Sequence, residues 1–150
     1  MLSDLVRKFE YLAQTYDLEA QLIDAGSLTG RELEKVCPVK HSFGDGCYVR
    51  EWNSPAGMLV VSKLHKIAHP FFALKGDVSV ITAAGVQRIV APHYGITPAG
   101  TKRVLYTHTA TQWVTVHVTN EVDIDKIERE IIASDVDELL SDVLATGVSK

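Results

Sequence analysis
The sequence predicts an all-β sandwich or barrel with α-helices at both ends, and three observations carry that expectation. Between residues 47 and 119, seven short runs rich in β-branched residues follow one another: CYVREW, MLVVSKLH, PFFALK, DVSVIT, VQRIVA, RVLYTHT and QWVTVHVT. Turn residues separate them at Pro55-Ala56-Gly57, Gly76, Ala84-Gly85, Pro92 to Gly95 and Pro98-Ala99-Gly100, with no helical period between. Outside this region apolar residues recur every three or four positions, the spacing of an amphipathic helix.

The first helix is expected from Ser3 as N-cap, with Leu2, Leu5, Phe9, Leu12 and Tyr16 on one face. A second helical piece is expected over residues 19–24, ending at Gly26. SLTGRELEKV then reads as a short capped helix, Thr29 as cap and Glu32 three residues on, closed by Pro38. After the strands, DIDKIEREIIA places Ile124, Ile127, Ile131 and Ile132 at helical spacing behind a cap at Asp123. SDVDELLSDVLATG reads as a last helix from a Ser134 cap to a stop at Gly147, followed by a frayed tail. The expected organisation is one domain in three segments: helical over 1–40, β over 41–120 and helical over 121–150.

Composition excludes several classes. The chain of 150 residues is 46% hydrophobic and 23% charged, ordinary for one globular domain. A net charge of -4 and a pI near 5.8 argue against a nucleic-acid or anionic-membrane partner. MLSDLVRKFEYLAQ has no continuous apolar core, so no signal peptide is expected. Two cysteines, Cys37 and Cys47, in a chain able to bury a core favour reduced thiols and a cytoplasmic location, with a single disulfide left open. Cys37, His41 and Cys47 match no standard zinc spacing, and there is no P-loop, dinucleotide fingerprint, Ser-His-Asp signature or Cys-x-x-Cys.

Two stretches echo each other. PAGMLVVSKLH (55–65) and PAGTKRVLYTH (98–108) each run Pro-Ala-Gly, seven residues, then His. A tight turn feeding a strand, used twice, would make His65 and His108 the ends of equivalent strands. Within LHKIAHPFFALKG (64–76), His65 and His69 stand four apart, as in a helical metal pair, but Pro70 and the β-rich flanks favour a barrel.

These residues resemble the cupin superfamily, a small jelly-roll barrel. His65, His69 and Gly76 are similar in register to the second half of that family's first motif, His65 in the slot of its second histidine and His69 in that of its glutamate. Lys63 stands in the first-histidine slot. PAGTKR is similar to the second motif, with Pro98 and Gly100 in place and Arg103 where the histidine falls. The string from HSFGDGCYVREW through WVTVH, with the acidic helix after it, also resembles small cupin proteins of tailed bacteriophages, which implies the cytoplasm of an infected host. The resemblance further implies a homodimer, since paired subunits cover sheet edges.

A divalent metal (Zn, Fe, Ni or Mn) is what the resemblance implies, with His65, His69, His117 and His108 as candidate ligands. Lysine and arginine in the other two slots oppose a cation there. Arg103 and Lys63 pointing into the barrel would instead hold a carboxylate or phosphate, or form surface pairs with Glu51. Tyr48, Trp52, Tyr106 and Trp113 are either a stacking wall or core. In QWVTVHVT one face is core, and alternation alone does not say which. Three functions follow as expectations: a small-molecule binding protein for an anionic ligand, with or without a metal; a metal-dependent isomerase, epimerase or dioxygenase; and a phage accessory or structural protein using the barrel as scaffold.

Overall fold
The computed structural model describes residues 1–133 and residue 138. Its order is α1 (Leu2–Asp24), α2 (Gly30–Val36), β1 (Val39–Gly44), β2 (Cys47–Ser54), β3 (Leu59–Val61), β4 (Leu64–His65), β5 (His69–Lys75), β6 (Asp77–Thr82), β7 (Gly85–Val90), β8 (His93–Thr97), β9 (Val104–Thr107), β10 (Thr111–Val118), α3 (Ile124–Ile131) and β11 (Ile132–Ala133). A five-stranded sheet in the order β1-β2-β10-β5-β8 faces a four-stranded sheet in the order β3-β9-β6-β7, all neighbours antiparallel. Phe71, Ala73, Val78, Val80, Ile89, Leu105 and Trp113 fill the space between them. Strand alternation sends these residues inward from both sheets, which is the pattern of a β-sandwich core.

Three strands were not expected. β11 takes Ile132 and Ala133, expected as the end of the helix, and pairs with β4 through Ile132↔His65 and Ala133↔Leu64. β1 starts at Val39, ahead of the first β-rich run, and pairs with β2 from Val39↔Trp52 to Gly44↔Cys47. β8 occupies the stretch from Pro92 to Gly95 that reads as a turn, and it pairs with β5. Gly95 is there for close approach: a Cβ would lie 2.9 Å from the Phe71 ring packed against it. MLVVSKLH, expected as one strand, is broken at Ser62–Lys63 into β3 and β4.

The echo has a structural counterpart. The Gly57 N–H donates to the Thr107 carbonyl at 2.6 Å, and the Gly100 N–H to the His65 carbonyl at 2.7 Å. Each Pro-Ala-Gly turn is therefore pinned to the end of the other unit's strand. The two histidines nevertheless face opposite ways. His108 follows β9 without interruption and shares the outward face of Tyr106, whereas the break before β4 resets the alternation and turns His65 inward.

At the N-terminus α1 is one continuous helix with Met1 at the cap, so Ser3 lies inside it and residues 19–24 are its last turns. Only Leu12 and Thr15 are buried; Leu2, Leu5 and Phe9 are exposed. The helix meets the barrel instead through Leu12 against Leu64 and Ala133, the Tyr11 hydroxyl donating to the Ile81 carbonyl at 2.7 Å, and Glu19 paired with Lys102 at 2.8 Å. Thr29 is the α2 cap residue but its side chain makes no cap bond. Asp123 caps α3, its carboxylate accepting from the Lys126 N–H at 3.2 Å, and Ile127 and Ile131 are buried against Tyr48. The helix expected over residues 134–147 lies outside the described residues. Among the described residues no helix is long and apolar enough to cross a membrane.

Gly76 joins β5 to β6 with φ +111°, and a Cβ there would lie 2.5 Å from Thr111 Oγ1 and 2.9 Å from Thr111 Cα. Gly76→Ala is expected to cost roughly 2–4 kcal/mol through backbone strain and overlap. Gly26→Ala, at φ +87° with open space around it, is expected to cost only about 1 kcal/mol. Urea unfolding of the two variants checks the difference.

Candidate functional site
The inner face of the five-stranded sheet is laid out in rows by its pairing register. Tyr48 lies opposite His117, Arg50 opposite Thr115 and then Phe71, and Trp52 opposite Trp113 and then Ala73. Two residues beyond Phe71↔Thr115, the same ladder brings His69 to His117, ring centroids 4.5 Å apart. His65 enters from β4, 4.6 Å from His69 and 6.2 Å from His117. Three imidazoles thus meet at one end of the barrel, two of them, His69 and His117, almost wholly buried. For β10 the open question of faces is answered: Trp113, Thr115 and His117 point in, and Val114, Val116 and Val118 point out.

Arg103 closes the other side. It is 7% exposed, and its guanidinium lies 5.5 Å from the Trp113 ring centroid and 5.7 Å from that of Phe71, which are themselves stacked at 4.7 Å. Ser62 holds the backbone beneath it, accepting from the Arg103 N–H through Oγ and donating its own N–H to the Arg103 carbonyl, both at 2.8 Å. Among the described residues no carboxylate pairs with Arg103, and its Nε–H is buried without an acceptor. Burial pushes the guanidinium down to about 10, a cost on the order of 3 kcal/mol, which two aromatic faces offset only in part.

Between these groups lies a cavity of about 210 Å³, lined by Arg103, His65, His117, Arg50, Tyr48, Trp52 and Trp113, with more apolar than polar wall. α2 roofs it with Leu33, α3 with Glu128 and Ile131, and β11 with Ile132. Lys63 stands at the mouth, exposed and paired with Glu128 at 2.9 Å, so it rims the cavity and does not enter it. Arg50 and Glu128 line the site without any motif to announce them; the period of two in CYVREW was the only cue to Arg50.

Two of the residues expected at the site lie elsewhere. Tyr106 and His108 face outward from the four-stranded sheet, edge to face at 4.9 Å, with His108 Nε2 2.8 Å from Ser79 Oγ. The uninterrupted alternation of β9 puts them there. Glu51 is also outward, accepting from Gln112 at 2.9 Å and Asn53 at 3.1 Å, and so pairs with neither cation.

All three imidazoles are held neutral. Burial, reinforced by the neighbouring histidines and Arg103, lowers His65 to about 3; burial and His69 lower His117 to about 4; burial lowers His69. The His69 Nδ1 lies 3.0 Å from the Ile67 carbonyl, which assigns the proton to Nδ1 and leaves Nε2 an acceptor. That Nε2 and His65 Nδ1 are buried with no partner. Orphaned lone pairs are the kind of group that suits a metal. The ring planes of His65 and His117 lie 3° apart. Among the described residues no group of three or more His, Cys, Asp or Glu is arranged to hold a metal ion. With a cationic guanidinium in place of a fourth ligand, the donor set does not fit a divalent ion.

The chain resembles several solved structures. A DMSP lyase, DddQ, from Ruegeria pomeroyi DSS-3 superposes with a TM-score of 0.53 at 14% identity, over 66% of this chain and 55% of that one. The chain therefore spans little more than half that lyase's length. The cupin domain of Schizosaccharomyces pombe Cnp3 gives a TM-score of 0.49 at 18% identity, over 72% of this chain and 77% of that one. A cupin superfamily protein from Desulfitobacterium hafniense gives 0.49 at 10% identity, over 62% and 84%. The barrel shares with the lyase a fold of packed antiparallel sheets. At these identities the likeness to cupins concerns the fold alone. No protein-family model and no curated protein matches the chain.

The neutral histidines make stability depend on pH. In the unfolded chain each takes a proton near 6.5, so below that pH the unfolded state binds more protons and stability falls. The loss continues until the folded imidazoles protonate, near 4 for His117 and 3 for His65. Lowering the pH from 7.5 to 5 is expected to cost on the order of 1–2 kcal/mol for each of these two residues. Urea melts at the two pH values check this, and His65→Gln together with His117→Gln should flatten the dependence.

Proposed function
We propose that this protein binds a small anionic molecule, a carboxylate or phosphate ester, inside the cupin barrel. The observation that carries the reading is Arg103, a buried cation with no carboxylate partner among the described residues, facing a cavity. A guanidinium fork matches a carboxylate or phosphate in two-point geometry. The ligand's charge would replace the missing counter-ion and recover much of the burial cost. His65 and His117 line the far side, and Trp113, Trp52 and Tyr48 give the ligand body an apolar wall.

The metal-dependent isomerase, epimerase or dioxygenase reading requires a set of three or more donors, which is not found among the described residues. A scaffold role in a phage, with the host-cytoplasmic location it implies, rests on the sequence likeness only. It offers no account of a buried cation facing a cavity.

Thermal melting against inorganic phosphate and a panel of small mono- and dicarboxylates tests the proposal. A ligand at a hundred times its Kd should add about 2.7 kcal/mol, a rise of roughly 5–10 °C for a domain of this size. Arg103→Met should lose that response while melting no lower than the wild type without ligand, because it removes a buried unpaired charge. No shift across the panel, or a shift that survives in Arg103→Met, contradicts the proposal. A shift produced by a divalent metal alone and lost in His65→Gln would favour the metal reading instead.

A further inference from the structure
A second cation shares the cavity with Arg103. Arg103 enters from the loop that leads into β9, at the four-stranded sheet, and Arg50 enters from β2 of the five-stranded sheet. Arg50 is half-buried, and its cross-strand partners, His41 and Thr115, are not acids. Glu51, next to it in the chain, faces outward onto Gln112 and Asn53. Among the described residues no carboxylate pairs with Arg50, as none pairs with Arg103.

The charges on the cavity wall do not balance. Glu128 is the one acidic residue lining it among the described residues, and Lys63 already holds that carboxylate at the mouth, at 2.9 Å. The pair is neutral as a unit. Burial keeps His65 and His117 uncharged at neutral pH. Two guanidinium charges are therefore left in excess, inside a chain whose net charge is -4. Like charges facing one small cavity repel each other more strongly than they would in water. One negative charge leaves one of the two cations uncompensated, and two negative charges remove the imbalance.

We propose that the ligand carries two negative charges, as a short dicarboxylate or a phosphate monoester does, and that Arg50 selects it over a monoanion. This rests on the anion-binding reading of the cavity given above. Arg103 takes one anionic edge in fork geometry, and Arg50 takes the second from the facing sheet. Sheets packed face to face lie about 10 Å apart, so two long side chains reaching inward leave room for a short spacer between two carboxylates, or for one phosphate held from both sides. The volume of about 210 Å³ lies below the roughly 300 Å³ at which pockets for drug-sized ligands begin, which keeps the ligand small. Trp52, Trp113 and Leu105 give its middle an apolar wall.

Calorimetric titration of the full chain at about pH 7.5, where a phosphate monoester is mostly dianionic, tests the inference. Succinate and glutarate are compared with butyrate and valerate, monoanions of the same length, and methyl phosphate is compared with methyl sulfate. In at least one pair the dianion should bind at least about tenfold more tightly than its partner, and which pair does so separates carboxylate from phosphate. Arg50→Gln should bring that ratio to within about twofold while leaving the monoanion affinity and the circular dichroism unchanged. Arg50→Lys should recover much of the ratio. If Arg50→Gln misfolds, the wild-type ratios and Arg50→Lys still decide. Equal affinities within every pair, with binding lost in Arg103→Met, overturn the doubly charged ligand and leave the anion site standing. Discrimination that survives in Arg50→Gln overturns the role of Arg50. No binding of any of these compounds overturns the anion-binding reading and this inference with it.

Discussion
The architecture of the cavity depends on one costly feature, the placement of Arg103 inside the barrel with no carboxylate against it. Much of the surrounding structure serves to hold it. Ser62 clasps its backbone from both directions. Phe71 and Trp113 stack on each other and present their faces to the guanidinium. Gly95 has no Cβ because the Phe71 ring occupies that space. A chain selected only for stability would replace this arginine with a hydrophobic residue of similar volume. Keeping a destabilising cation in a cavity is the signature of a binding site, where stability and function trade against each other.

The histidines follow from the same environment. Three imidazoles share a small volume with Arg103, so burial and mutual repulsion keep them uncharged. The barrel brings together His65 and His69 and adds His117 from β10. The result is a set of neutral imidazoles beside a buried cation.

Much of this was legible in the sequence. The β texture, the antiparallel barrel, the Asp123 cap and the inward Arg103 follow from alternation, turn residues and motif register. What was not legible has specific physical causes. β8 was hidden because Gly95, needed for packing against Phe71, reads as a turn residue. The break between β3 and β4 flips the phase of a strand, and no local propensity marks it, so His65 and His108 look equivalent and are not. The inward face of β10 carries threonine and histidine while valines face out, the reverse of simple hydrophobic patterning. The α1 stripe of Leu2, Leu5 and Phe9 predicted burial that the described barrel does not provide.

The most direct measurement is a ¹⁵N NMR titration that follows the Nε–Hε signal of Arg103, assigned by its loss in Arg103→Met, as inorganic phosphate and small carboxylates are added. If the cation awaits an anionic ligand, that signal shifts in a saturable way and its exchange with water slows, while the Arg88 side chain, already paired with Asp77 on the outer face, does not move. An Arg103 signal that stays fixed while bulk chloride is replaced by every anion tried would contradict the account.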